Sequence, residues 1–318
     1  MNPFGSGSAL GSAQAQQLFH HLQADENVSV SGLAGSSYAF LVASLFESST
    51  QNMFWILEDK EEAAYMHNDL ERLLPKHHVL FYPASYRRPY EISRVDNANV
   101  MMRAEALKKI STSQKPVLLV SYPDALFEKV VTRKELKKKT LSMKVGESIA
   151  LDFVNEVLFD YDFQRVDFVS QPGEFSVRGG IVDVFSFDKE EPYRIEFFGD
   201  DIDRITSFDI ETQLSIDALR KVEVVAHLEN KLQSEDRQAL WDFLPQKTCY
   251  IYPRVAEIGT ALDQLFVKAK EVHAALESPL AHGTPSELFV HVHQLLLEET
   301  FAVRGKKFLL VFYGWLGN

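Results

Sequence analysis

Residues 165–209 read RVDFVSQPGEFSVRGGIVDVFSFDKEEPYRIEFFGDDIDRITSFD, and their two-residue alternation decides the fold of the middle of the chain. Apolar and polar residues alternate through Arg165–Val169, Glu174–Val184, Tyr193–Phe198 and Ile202–Phe208. That is the period of a strand with one face buried. Pro172-Gly173, Gly179-Gly180 and Gly199-Asp200-Asp201 punctuate the runs. The last of these reads as a hairpin turn. The pattern predicts an antiparallel sheet of roughly four strands with little helix. A Gly-Gly pair inside a strand marks a bulge or a close backbone approach. With one residue bulged there, Arg178 and Phe185 share a face, Val182 and Val184 point to the core, and Arg194 reaches the same face as Arg178. Arginines beside an aromatic on an open sheet face suit a protein interface. The pattern by itself fits ordinary surface arginines over a core Phe185 better.

Toward the N-terminus the period changes. Asn27–Ser31, Met53–Leu57, His78–Tyr82 and Pro116–Ser121 read as short apolar strands, and helical stretches over about Tyr38–Phe46, Lys60–Leu74 and Asn97–Ile110 lie between them. Strands alternating with helices predict a parallel sheet covered on both faces. The first strand runs into Gly32, Gly35, Ser36 and Ser37 and then a helix, a geometry able to cradle a phosphate. A working phosphate loop adds a lysine and a Ser/Thr for the terminal phosphates and Mg²⁺. No lysine occurs between Asn27 and Asp59. A plain strand-to-helix turn is therefore expected, holding at most an anion weakly. Glu58-Asp59 reads as a solvated helix start rather than a metal-binding pair. Thr132–Lys144 is basic through Arg133, Lys134, Lys137, Lys138, Lys139 and Lys144 but lacks interleaved aromatics. It reads as a solvated face near a domain boundary, with a helix over about Ala150–Phe159 after it. The expected organisation is 1–125, an α/β domain; 126–211, an inserted domain with the antiparallel sheet; and 212–318, which completes the first fold.

Composition bounds the function. The chain has 318 residues, 46% hydrophobic and 25% charged, enough for two or three domains with real cores. Its formal net charge of −12 disfavours nonspecific binding to nucleic acid. Cys249 is the one cysteine, and the ten histidines show no metal-ligand spacing, so no metal site is expected. No apolar run approaches the ~18 residues of a membrane span. The first residues, MNPFGSGSALGSAQAQQ, lack the apolar core of a signal peptide and read as a lead-in to a short helix from about Ala13. A cytoplasmic setting is expected.

The segment Arg165–Asp209 closely resembles the second domain of UvrB and its counterpart in bacterial transcription-repair coupling factors. GEFSVRGGIVDVF (Gly173–Phe185) followed by YRIEFFGDDIDRI (Tyr193–Ile205) carries the likeness, and the Gly-Glu-Phe is more typical of the coupling factors. SVSGLAGSSYAFLVASLF (Ser29–Phe46) is similar to the coupling factors' degenerate phosphate loop, where UvrB keeps Gly-Lys-Thr. PYEISRVDNANVMMRAEAL (Pro89–Leu107) resembles a further segment of that family. The resemblance runs from about Asn27 to Val225. It weakens from Glu229 to a general pattern of helices and short strands, and KKFLLVFYGWLGN at the end has no secure counterpart in the family.

The resemblance implies an α/β fold: a degenerate, parallel-sheet P-loop-like domain with an inserted α+β domain, arranged like UvrB domains 1a, 2 and 1b. It implies recruitment of UvrA to stalled RNA polymerase in transcription-coupled nucleotide-excision repair. The UvrA-binding residues it implies are Arg165, Arg178 and Phe185, with Arg194 and Arg204 as second-tier candidates. Ser176 stands where UvrB has a further arginine, a departure that bears on the details of the contact. Gly32, Gly35, Ser36 and Ser37 form the degenerate nucleotide loop. No catalytic residue, cofactor or metal is implied for this chain, which on this reading is not an enzyme. RNA polymerase, double-stranded DNA and the ATP-dependent motor belong to regions that the chain stops short of, and so does the surface that masks this module in autoinhibition. Two rival readings remain. An ATP-dependent DNA enzyme is opposed by the missing lysine. A UvrB-like damage binder would use Pro83–Tyr90, with Tyr86, Arg87, Arg88 and Tyr90, a connection that looks too short for the DNA-gripping hairpin of UvrB.

Overall fold

A computed structural model describes residues 18, 20, 28–31, 33, 35–85, 90, 96–228, 236–252, 255–276, 283–291 and 309–313. In chain order the strands are β1 Val28–Ser31, β2 Asn52–Ile56, β3 His78–Phe81, β4 Val117–Ser121, β5 Val130–Val131, β6 Thr140–Lys144, β7 Gln164–Arg165, β8 Glu174–Arg178, β9 Ile181–Val184, β10 Tyr193–Phe198, β11 Asp201–Phe208, β12 Ser215–Leu219, β13 Lys221–Val225, β14 Arg237–Gln238, β15 Thr248–Tyr252 and β16 Leu309–Tyr313. The chain divides into two compact units. One comprises residues 1–91, 109–129 and 238–318; the other comprises 92–108 and 130–237.

The first unit is built on a parallel sheet in the order β1-β16-β15-β2-β4-β3. Its middle strands are apolar without alternation. Met53, Phe54, Trp55 and Ile56 of β2 are all buried, as is every residue of β4. A strand covered on both faces has no solvent side to mark with polar residues. The helix Ser37–Glu47 buries Ala39, Val42, Ala43, Leu45 and Phe46. The helix Lys60–Leu73 begins at Asp59, whose carboxylate accepts the Glu62 amide at 2.8 Å, while the Glu62 carboxylate accepts the Glu58 amide at 3.3 Å. Asp59 thus starts the helix and Glu62 closes back on the Glu58 amide, so the two carboxylates satisfy two amides that lack intrahelical partners. Two strands that no sequence feature singled out, β15 and β16, sit between β1 and β2. Cys249 on β15 is buried, and burial pushes its thiol up to about 12, so it packs as a small apolar side chain.

The second unit carries a six-stranded sheet in the order β12-β11-β10-β9-β8-β7, and β6 pairs with β13 beside it. All neighbours in the larger sheet are antiparallel except β7 and β8. β12 and β13, which follow Thr212, both belong to this unit. One face of the sheet is the core, where Phe175, Val182, Val184, Ile195 and Ile205 pack with Val154 and Leu158 of the helix Leu151–Asp160. The basic run resolves into the helix Arg133–Lys138 and strand β6, and the Thr132 hydroxyl accepts the Glu135 amide at 3.2 Å to cap that helix.

Two expectations for the middle segment need correction. Gly179-Gly180 is not a bulge inside one strand. It is the two-residue turn of the β8–β9 hairpin, with Arg178 opposite Ile181. Gly179 sits at φ +60°, and the carbonyl oxygen of Phe197 lies only 2.8 Å from where a Cβ on Gly180 would stand. That oxygen belongs to backbone and has no room to yield. The second correction concerns Arg165–Val169, of which only Arg165 is strand, in a β7 parallel to β8. Past Val166 the chain turns, because the Glu174 carboxylate captures the amides of Ser170 at 2.8 Å and Gln171 at 3.1 Å. Gly180→Ala is expected to destabilise this unit by about 1–3 kcal/mol through overpacking against backbone. Urea unfolding followed by circular dichroism measures it, and a change below ~0.5 kcal/mol contradicts the close approach.

Candidate functional site

The face of the sheet opposite the core is polar and organised in rows. Strand register aligns Ser176, Asp183, Arg194, Thr206 and Ala218 in one row, and Arg178, Ile181, Glu196 and Arg204 in the next. Asp183 lies between Val182 and Val184, and its side chain is only 1% exposed. A carboxylate taken out of water at that depth requires compensation by charge and hydrogen bonds. Arg194 supplies it from the neighbouring strand, with Nε donating to Oδ1 at 2.7 Å and Nη2 to Oδ2 at 3.0 Å. Arg178 supplies it from the other side, pairing through Nη2 with the same Oδ2. The Asp183 hydrogen bond raises the Arg194 pKa further above its ordinary value, fixing it as a cation.

Each arginine also holds a loop. Arg178 Nη1 donates to the Asp167 carbonyl at 2.8 Å and to the Ser176 hydroxyl at 2.7 Å. Its guanidinium lies 5.2 Å from the ring centroid of Phe168, which is 66% exposed. Arg194 donates to the Gln213 carbonyl at 3.2 Å and stacks at 4.4 Å over buried Phe208. The loop it grips exposes Ile210 and Leu214, and Ile216 is exposed on β12. Two guanidinium groups on one carboxylate leave a net positive charge amid exposed apolar side chains. Such a surface suits docking of an acidic and apolar protein patch.

The other singled-out residues fall as follows. Phe185 shares this side of the sheet but is 4% exposed, packed with Val169, Phe208 and Val166. It supports the surface from below and does not present its ring to a partner. Arg204 is exposed and stands 3.9 Å from Glu196. Arg165 stands apart. Its register partner is Phe175, a core-face residue, so Arg165 shares an exposed sheet edge with Arg178 but not a face. Ser176, where UvrB has an arginine, is buried and accepts from Arg178. Phe168, Asp183 and Gln213 were missed by sequence reasoning. A lone acid between two core valines was the available signal for Asp183, since it calls for a cation across the strand.

In the first unit, Gly35 turns at φ +55° and Ser36 precedes the helix Ser37–Glu47 without a side-chain cap. The Tyr38 and Phe40 amides bond back to the Gly35 and Ser36 carbonyls at 3.4 and 3.1 Å. Gly32 lies outside the described residues, as do Tyr86, Arg87 and Arg88 of the Pro83–Tyr90 connection. No described helix is long and apolar enough to cross a membrane.

The UvrB interaction domain family matches residues 141–229, which contain every arginine of the face described above. The transcription-repair-coupling factor of Myxococcus xanthus is 30% identical over 240 residues, 73% of this chain and 20% of that protein. Those of Bacillus subtilis (strain 168) and Staphylococcus epidermidis are 28% identical over 209 residues and 29% over 231. They cover 65% and 72% of this chain, and 18% and 20% of their own lengths. This chain is a homologue of the transcription-repair-coupling factors. It spans about a fifth of the length of these relatives. The Asp183 network and the arginine face lie within the residues that match the UvrB interaction domain family.

Two predictions follow from the electrostatics of the face. Asp183→Ala leaves Arg178 and Arg194 crowded without their anion and is expected to cost about 3 kcal/mol of stability. Arg178→Ala, with its side chain partly in solvent, costs less; equal losses in thermal melts would contradict the ranking. Glu174 is the second case. Burial opposes its charge, yet hydrogen bonds from Ser170 and Gln171 outweigh burial and hold its pKa below the ordinary value. A depressed carboxylate stabilises the fold above its unfolded pKa of about 4.3, and that contribution is lost as pH falls through the folded value. Glu174→Gln is expected to flatten the acid limb of stability below about pH 4.3, read by urea melts between neutral and acid pH.

Proposed function

We propose that this chain is the UvrA-docking part of a transcription-repair coupling factor and recruits UvrA to stalled RNA polymerase in transcription-coupled nucleotide-excision repair. One observation carries the reading. A buried Asp183 holds Arg178 at the surface beside exposed Phe168, with the more deeply set Arg194 on its other side, inside the residues that match the UvrB interaction domain. Guanidinium groups offer planar forks of donors to carboxylates and carbonyls. Pinned in place, they lose little rotamer freedom on binding. Arg204 and the apolar Ile210, Leu214 and Ile216 would extend the contact, and Arg165 would take it around the β7 edge.

In this reading the first unit is a degenerate P-loop-like fold. Residues 1–125 begin it, the 126–211 insert corresponds to UvrB domain 2, and part of 212–318 completes it, as in UvrB domains 1a, 2 and 1b. The absence of a lysine between Asn27 and Asp59 supports a Gly35-Ser36-Ser37 turn with no hydrolytic role. The motor, the polymerase contact and the DNA contact of a complete coupling factor would lie in other regions of such a protein.

Titrating purified UvrA with the chain by calorimetry tests the docking face. Arg178→Ala is expected to weaken binding about 30-fold, matching ~2 kcal/mol for a central interface arginine, with the circular dichroism spectrum unchanged. Arg165→Ala is expected to add to that loss, because the two side chains share no partner. Unchanged affinity in the double variant overturns the assignment.

A further inference from the structure

The core side of the same sheet ends in a groove of about 440 Å³ that the docking face does not use. Tyr193 on β10 and Ser207 on β11 are register partners and stand on its floor. They are 7% and 5% exposed. The Tyr193 ring packs in the core cluster, so only its tip meets the groove. Its hydroxyl has no hydrogen-bond partner among the described residues. The Ser207 oxygen accepts the Asp217 amide at 3.3 Å, while its proton goes to no described acceptor. The Tyr193 ring is buried while its hydroxyl oxygen opens to the groove, with lone pairs free to accept a donor there. The Ser207 oxygen is already engaged by Asp217, so the Tyr193 oxygen is the hydroxyl on this floor left to meet a ligand's hydrogen-bond donor.

The rim specifies the ligand's charge. Five carboxylates line the groove, those of Glu105, Asp188, Glu190, Glu191 and Asp217, against the single ammonium of Lys189. Lys108 occupies Asp188 at 2.7 Å. Glu190, Glu191 and Asp217 form no ion pair among the described residues. The low-dielectric wall focuses this negative potential into the groove. Burial, then the charges of Asp188, Glu223 and Glu191, raise the Tyr193 pKa, so its hydroxyl stays neutral and keeps oxygen lone pairs for a donor. Met101 and Leu219 supply an apolar stretch of lining. Among the described residues, no set of His, Cys, Asp and Glu converges as metal ligands.

We propose that this groove binds a primary alkylammonium group, from a free polyamine or from a lysine side chain of a protein partner. The ammonium has three N–H donors. They match the Tyr193 oxygen and the carboxylates of Glu191 and Asp217, and the alkyl stem lies along Met101 and Leu219.

Calorimetric titration of the whole chain tests this with two probes: spermidine, and a short capped peptide carrying one lysine. The expected result is saturable one-site binding of at least one probe. Binding of spermidine alone assigns a free polyamine, and binding of the peptide that is lost on Nε-acetylation assigns a partner lysine. Tyr193→Phe, which keeps the ring in the core, and the exposed double change Glu191→Gln/Asp217→Asn are each expected to weaken binding about tenfold. Glu47→Gln and Glu61→Gln in the other unit are expected to leave it unchanged. Three results overturn the proposal: no saturable binding of either probe, affinity equal in the groove variants and the controls, or displacement by Mg²⁺ at the same concentration as spermidine, which marks a diffuse ion atmosphere.

Discussion

The arrangement of the second unit's outer face depends on one buried anion. Asp183 sits on a central strand between two core valines, where an unpaired charge would be untenable. Its compensation comes from both neighbouring strands, Arg178 on β8 and Arg194 on β10. Those guanidiniums have donors to spare, and the spare donors tie down Asp167 on one side and Gln213 on the other. A core requirement is thereby converted into a surface. The same interaction that neutralises Asp183 sets where two cations and the exposed Phe168, Ile210 and Leu214 are presented.

The hairpin turns make this register possible. Gly179-Gly180 places Ser176 opposite Asp183 and Arg178 opposite Ile181, and a side chain at Gly180 would strike the Phe197 carbonyl. Glu174 then closes the other end of β8 by folding the 170–171 turn onto its carboxylate. With both ends fixed, the alternation along β8 and β9 leaves one side apolar and one side charged. The apolar side forms the core, and at its margin the tips of Tyr193 and Ser207 emerge into an acidic groove. The sheet therefore offers a cationic outer face and an anionic pocket, separated by the thickness of one strand layer.

Legibility differed between the two units for a physical reason. A half-buried antiparallel strand writes its orientation into alternate residues, so the faces of Val182, Val184, Arg178 and Phe185 could be read from spacing even with the Gly-Gly turn taken for a bulge. A strand buried on both sides writes only its existence. β2 and β4 were recognisable as apolar runs, but nothing in them names their neighbours. β15 and β16, more than 120 residues further along the chain than β4, supply the strands between β1 and β2. β7 was misread because a carboxylate four residues past Ser170, and not strand pairing, decides where the chain turns.

The sequence by itself determined the chemistry on offer: an α/β chain of net charge −12, no lysine in the glycine turn, and a motif around Arg178 that resembles one family. Tertiary structure decided which of those residues act together. It joined Arg178 and Arg194 through Asp183, put Phe185 beneath the surface, and set Arg165 on the other side of the β7 edge. Periodicity along a chain reports which face a residue occupies within its own element. Which elements become neighbours, and so which charges must neutralise one another, depends on pairing between distant segments that no local pattern encodes.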